Sequence, residues 1–212
     1  MKEILQRFYN KSHFTKRLII VILAVIVMGF SISLLLLVDL GMDPYTMMNR
    51  AISKKLGLSI GNWQAILNIF LLMAVIIFGG RNLGFGTLAN MFLVGYSIDF
   101  FSMLWEKALP LEWFDILWVK VAVFVPALIV FVLAAAVYMD VDLGTSPYDA
   151  VPYIISERLP EISFKIIRIV FDFSTIGIGM LFGGKLEIVT VLMALLLGPT
   201  IGIVGKKLDR ML

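Results

Sequence analysis

The sequence predicts an all-α polytopic membrane protein built as two tandem repeats of four helical segments, in the order long, short, long, long, eight segments in total. Three observations carry that expectation. Hydrophobic residues make up 60% of the 212 residues and charged residues 16%, against about 45–50% and about 25% in soluble domains, so the apolar excess belongs in a bilayer. Apolar runs close to the ~20 residues that a bilayer demands recur along the chain. The chain also repeats itself: Asp39-Leu40-Gly41-Met42-Asp43-Pro44-Tyr45 returns as Asp142-Leu143-Gly144-Thr145-Ser146-Pro147-Tyr148. Beyond it Ile52, Ser53 and Leu56 align with Ile155, Ser156 and Leu159, Asn68 with Asp172, and Phe78-Gly79-Gly80-Arg81 with Phe182-Gly183-Gly184-Lys185. Tandem apolar copies are the mark of transporter-like folds.

The elements follow in order. Residues 1–17 form a basic tail expected in the cytoplasm, where His13, the single histidine, is read as a solvated residue. Leu18 to Val38 follows Lys16 and Arg17 but is too long for a signal-peptide core and lacks a small-residue cleavage site, so it is read as a retained helix. Pro44 to Leu56 is a short helix with proline in its first turn and Asp43 as N-cap. Trp63 to Phe78 and Gly86 to Leu104 complete the first membrane repeat, residues 18–104, and residues 105–116 form the loop between repeats. Leu117 to Met139, the short Pro147 to Leu159 with Ser146 as its cap, Phe164 to Phe182 and Ile188 to Val204 make the second repeat, residues 117–205. A tail of residues 206–212 is again expected in the cytoplasm, and Gly41, Pro44, Gly144 and Pro147 are read as structural turns.

Whether the short helices cross decides the symmetry. If they cross, the halves are parallel; if not, each half crosses three times and the second is inverted. Charge favours crossing: it gathers Lys54, Lys55 and Lys107 with the basic N-terminal tail and leaves Arg81 and Lys185 outside, as the positive-inside rule asks. Length opposes it, since each short helix is only ~20 Å long at ~1.5 Å per residue. The favoured expectation is that they cross, helped by irregular backbone buried at membrane depth.

That backbone is also the functional clue. Each helix start, at Asp43-Pro44-Tyr45 and Ser146-Pro147-Tyr148, aims unpaired N–H groups at the space beside it; the plain alternative is a tight turn. Thr46, Asn49, Arg50 and Ser53 gather on one side of the first short helix, and Asp149, Tyr153 and Ser156 line one side of the second. Asp172 sits mid-helix between two phenylalanines with Arg168 at i−4, which permits an ion pair and makes Asp172 and Arg168 the candidate coupling pair. The aligned residues are Asn68 and Gln64, so one helical face is polar in both halves. Asp99 is expected to cap or contact a loop. Gly198 to Gly202 carries a GxxxG spacing that suits close packing or a kink, and the 12 methionines are read as packing. The candidate substrate-binding set is therefore Asp43, Tyr45, Thr46, Arg50, Asn68, Ser146, Tyr148, Asp149, Tyr153 and Asp172.

The chain has no cysteine, and no Walker loop, HExxH, GxSxG or metal-spaced cluster, so no catalytic residue, metal or cofactor is expected and the chain is not read as an enzyme. On Leu143-Gly144-Thr145-Ser146-Pro147-Tyr148-Asp149, its partner Leu40 to Thr46, and the Gly-Gly-basic turn before a threonine-bearing helix, the sequence resembles the YczE/YitT-type family of bacterial integral membrane proteins. The resemblance implies a multi-pass protein of the bacterial inner membrane. The leading functional expectation is a small secondary transporter or exporter of a small organic molecule, with its site between the repeats. The alternatives are a membrane scaffold or accessory partner of another protein, and a channel. Expected partners are the lipid bilayer and a small-molecule substrate, not nucleic acid, with a homodimer as the candidate assembly.

Overall fold

Apolar runs bounded by Pro and Gly fold into helices in the computed structural model, which describes residues 14–79 and 83–196. In chain order they are α1 (Phe14–Val38), α2 (Pro44–Leu56), α3 (Ile60–Ile77), α4 (Phe85–Ala108), a 3-10 turn (Leu111–Asp115), α5 (Leu117–Asp140), α6 (Pro147–Arg158) and α7 (Phe164–Leu181). The chain is helical again over 188–196, here α8, and no strand occurs among the described residues. The long, short, long, long order read from the sequence is observed from α1 to α7, and the last segment, expected over Ile188 to Val204, lies partly outside the described residues. His13 and the Gly198 to Gly202 spacing lie outside the described residues.

The short helices begin and end where their caps dictate. Asp43 Oδ1 accepts from Thr46 N at 3.0 Å, and Ser146 Oγ accepts from Asp149 N at 3.0 Å, each with proline in the first turn behind it. Before each lies the same backbone: Asp39 and Asp142 at φ 52° and 53°, then Gly41 and Gly144 at φ 120° and 111°. A side chain at either glycine would be strained by that φ, and a Cβ at Gly144 would also meet the Gly84 backbone.

α1 is the central helix and packs on both α4 and α5. Its Val21, Val25, Leu35 and Val38 are fully buried, and the absence of a side chain at Gly29 lets Ser97 and Ile98 of α4 come close. Outward, Ile77, Trp118 and Leu181 are 76%, 81% and 85% exposed, which in a chain of this composition is surface for lipid.

Helix directions follow from which ends touch. Phe14 meets Phe85, Phe30 meets Phe101, and Trp105 Nε1 donates to Ser33 Oγ at 2.9 Å, so α1 and α4 run the same way. Gly61 at the start of α3 donates to Asp99 Oδ2 at 2.9 Å while Asn68 further on reaches Met91, so α3 runs against α4. Arg17 at the start of α1 donates to Val141 O, past the end of α5, at 2.9 Å, while Val38 at the end of α1 packs with Phe124 near the start of α5; these two are antiparallel.

Since α1 ends and α3 begins towards the same side, α2 between them does not cross. The expectation that the short helices cross is corrected accordingly. Charge counting misled because Lys54, Lys55 and Lys107 sit together on the face where α1 ends, and length was the better guide: α2 has 13 residues and α6 has 12. Asp99 does cap, as expected, by accepting the Gly61 N–H.

The cysteine-free chain makes the directions testable. Lys16→Cys and Asp142→Cys, introduced singly, should label with a membrane-impermeant maleimide from one side of the membrane, and Lys55→Cys and Lys107→Cys from the other. Labelling of Lys16→Cys and Asp142→Cys from opposite sides would restore the crossing arrangement.

Candidate functional site

Because α1 and α5 are antiparallel, the loops that follow them enter from opposite faces, and the helix starts they carry meet between those faces. Tyr45 of α2 and Tyr148 of α6 touch, ring centroids 4.3 Å apart with planes at 34°. Each hydroxyl then reaches the long helix of its own half. Tyr45 donates to Asn68 Oδ1 of α3 at 2.8 Å, and Tyr148 donates to Asp172 Oδ1 of α7 at 2.6 Å. Asn68 and Asp172, aligned by sequence, thus accept from aligned tyrosines.

Around Tyr148 the site is charged. Arg168 donates from Nε to Asp172 Oδ2 at 3.1 Å and from its guanidinium to Asp149 Oδ1 at 2.6 Å, and Ser146 Oγ donates to Asp149 Oδ2 at 2.6 Å. The guanidinium carbon lies 5.3 Å from the Tyr148 ring centre, a cation–π distance. Thr175 Oγ1 stands 3.3 Å from the Tyr148 hydroxyl. Side-chain exposure is 16% for Arg168, 18% for Asp149 and 3% for Asp172, so the three form an ion network withdrawn from water. The Tyr45 hydroxyl has a neutral partner in Asn68. Asn68 continues to Met91 O at 3.3 Å, and Thr46 and Gln64 stand where the other half has Asp149 and Arg168.

Two loops lock the helix starts in place. Leu143 O accepts from Gly86 N at 2.8 Å and Thr145 O from Thr87 Oγ1 at 2.7 Å, so the first half's α4 clasps the second half's turn. In return Thr190 Oγ1 of α8 accepts from Met42 N at 3.3 Å. Thr87 and Thr190 are aligned residues of the two halves, and each is 1% exposed.

Most of the sequence-derived site residues converge here: Asp43, Tyr45, Thr46, Asn68, Ser146, Tyr148, Asp149, Arg168 and Asp172. Two do not. Arg50 turns to the surface, pairs with Asp39 and is 40% exposed, and Tyr153 is 43% exposed and stacks on Phe164 at 4.6 Å. Helical spacing put both on the polar face but could not say how far along the helix that face stays covered. Sequence reasoning missed Thr175, although its place three residues after Asp172 on one helix face was a usable signal. It noted Asn49 only as part of a polar face. Asn49 is 0% exposed, and neither polar atom of its side chain has a hydrogen-bond partner.

A cleft of about 190 Å³ opens on the side where α1 ends, lined by Asp39, Met42, Met47, Arg50, Lys54, Lys185, Glu187 and Thr190 among others. Burial pushes the Glu187 carboxyl up from its ordinary value and the negative charge of Asp39 adds to this, while Arg50, Lys185 and Lys120 pull it back. Met42 is the residue before Asp43, so the cleft reaches the approach to the first helix start.

A family model described as a family of unknown function (DUF6198) matches residues 15–206. The uncharacterized protein YyaS of Bacillus subtilis (strain 168) is 25% identical over 169 residues, 75% of this chain and 82% of its own. An uncharacterized protein of Haemophilus influenzae (strain ATCC 51907 / DSM 11121 / KW20 / Rd) is 25% identical over 186 residues, 88% of this chain and 82% of its own. The uncharacterized membrane protein YczE of Bacillus subtilis (strain 168) is 25% identical over 181 residues, 82% of this chain and 78% of its own, in line with the resemblance read from the Pro-Tyr motifs. No solved structure matches the chain.

The ion network predicts a specific stability pattern. Arg168→Gln leaves Asp149 and Asp172 buried without their cation and should cost about 3–5 kcal/mol. Adding Asp149→Asn and Asp172→Asn to it should recover much of that loss, measured as thermal midpoint in detergent. No recovery in the triple variant would show that Arg168 acts through packing instead.

Proposed function

The chain belongs to the family of unknown function DUF6198 and is an integral membrane protein, and we propose that it is a small secondary transporter or exporter of a small organic molecule, lying in the bacterial cell membrane with a cytoplasmic N-terminus. The observation that carries this reading is the meeting of two half-membrane helix starts from opposite faces at Tyr45 and Tyr148. A helix start offers free N–H groups and a partial positive charge, and polar side chains from α2, α3, α6 and α7 gather beside these two. A protein that only had to span lipid would have no use for broken backbone at that depth.

The same reading holds that the halves are structural repeats related by inversion. Support comes from the matched turn φ values, the matched caps, the matched tyrosines and the reciprocal threonine contacts. In an inverted-repeat carrier the substrate sits at the repeat interface and one half rocks against the other. Tyr45 against Tyr148 is then the central gate of a closed state, and the cleft below Arg50 and Lys54 is the access route on one side. The proposed orientation rests on the basic sequence that leads into α1, with Lys16 and Arg17 at its start, read by the positive-inside rule.

A membrane scaffold is the second reading. It is favoured by one specific observation, that both Asp149 and Asp172 are already paired with Arg168, as a purely structural network would be.

Purified protein in liposomes, screened by counterflow against radiolabelled amino acids, organic acids and amines, separates the readings. Saturable exchange of a solute, lowered about tenfold or more by Tyr45→Ala or Tyr148→Ala in variants that still purify folded, is the expected result. Flux that never saturates would make the protein a channel. No flux, with a stoichiometric partner co-purifying, would make it a scaffold.

A further inference from the structure

Asp43 and Ser146 occupy the same place in the two halves and perform the same local task, since each accepts the N–H three residues on and so starts a helix. Serine suffices for that task in the second half. The carboxylate in the first half is therefore surplus to capping, and it is a costly surplus. Asp43 is 7% exposed, its Oδ1 is used by Thr46 N, and its Oδ2 is buried with no hydrogen-bond partner. Leaving a buried carboxylate oxygen bare is unfavourable, and an ionised one in lipid more so.

The surroundings sharpen the point. Asp43 lies within electrostatic reach of Asp172, and Tyr45 within reach of both Asp43 and Asp149. The titratable groups within reach of Asp43 are thus Tyr45 on its own helix and Asp172 on α7. Arg168, the cation beside Asp172, is already bonded to Asp149 and Asp172. With Asp43 ionised, its charge adds to that of Asp172 with no cation of its own to answer it among the described contacts. One turn on from Tyr45 on α2 stands Asn49, fully buried, with no hydrogen bond to either polar atom of its side chain.

We infer that Asp43 is a proton-carrying group, a carboxyl that takes up a proton at Oδ2 when the two helix starts are closed on each other and releases it when they part. Protonation forms one O–H bond, the proton coming from bulk water, and turns the bare acceptor into a donor while removing the negative charge that opposes Asp172. As the coupling group of the proposed carrier, Asp43 rests on the transport reading; as a proton site it stands by itself. This displaces Asp172 from the coupling role expected from sequence, because both Asp172 oxygens are occupied, by Tyr148 and by Arg168.

Infrared difference spectroscopy of the purified protein in liposomes, taken between neutral and alkaline pH, reads the carboxyl directly and needs no substrate. The wild-type chain should show the carbonyl stretch of a protonated carboxylic acid that vanishes on alkalinisation. Asp43→Ser, which keeps the cap in the form the other half uses, should lose that band while retaining its thermal midpoint, Asp43→Asn should lose it too, and Asp172→Asn should keep it. A band that persists in Asp43→Ser, or that Asp172→Asn abolishes instead, overturns the assignment. So does a wild-type carboxylate that protonates only when sodium is withheld, since a metal cation would then be the occupant. If the counterflow screen fails while the band behaves as expected, the transport reading falls and the proton site remains.

Discussion

A backbone that breaks its helix inside hydrocarbon has to find a partner for every N–H and C=O it frees, because no water is present to take them. Two breaks of the helical ladder occur here, in the turns at Asp39 to Asp43 and Asp142 to Ser146, and the packing of the rest is arranged to satisfy them. The first turn of α4 supplies Gly86 N and the Thr87 hydroxyl to the carbonyls of Leu143 and Thr145, and α8 supplies Thr190 to Met42 N. Gly144 is needed because Gly84 and Thr87 come so close that any Cβ would collide with them. Tyr138 adds its hydroxyl to Gly86 O at 3.3 Å, tying α5 to the same clasp. Each half is held in shape by the other, so neither turn is expected to persist alone.

Much of this could be read from residues. The Pro-Tyr starts, their caps and the polar partners Asn68 and Asp172 all carried local signals: a proline at the first turn, an acceptor before it, a polar residue in an apolar helix. Helix order and approximate bounds followed from apolar runs. What could not be read was direction. Whether α2 crosses depends on where α3 begins in space, and that is fixed by Gly61 seating against Asp99 and Gly95, a contact between residues far apart in sequence. Charge counting reached for this information indirectly and failed, because Lys54 and Lys55 end a helix that turns back. The outward turn of Arg50 was hidden for the same reason, since its partner Asp39 lies in a left-handed turn whose geometry no periodicity reports.

The two half-sites share a plan but differ in chemistry, and the difference has a physical direction. On the second side, the network of Asp149, Arg168, Asp172, Ser146 and Tyr148 is paired at nearly every oxygen. Such a network is rigid: moving one member strands a charge in a low-dielectric interior. On the first side, Thr46, Gln64 and Asn68 are neutral, and the unsatisfied atoms belong to Asp43 and Asn49. Neutral amides exchange partners at far lower cost than buried ions do. In the proposed carrier the second half would then be the fixed wall of the site and the first the side that moves.

That asymmetry bears on which part of an inverted pair would open. In a symmetric pair both halves rock equally; here the α2–α3 side lacks the ionic ties that hold α6 to α7. Its α2 instead packs against α7 of the other half at Gly179, through the flexible Met47 thioether and the Met48 backbone against a residue without a side chain. Contacts of that kind slide without leaving a charge exposed. The cleft beside Met42, Met47 and Arg50 lies along the same seam. Separation along it would draw Tyr45 off Tyr148 and wet the bare oxygen of Asp43 in one movement, while leaving the ion network around Arg168 intact. The free-energy balance of that movement is then set by hydration of one carboxyl and two amides rather than by rupture of buried ion pairs, a far smaller barrier for a small bundle to cross repeatedly.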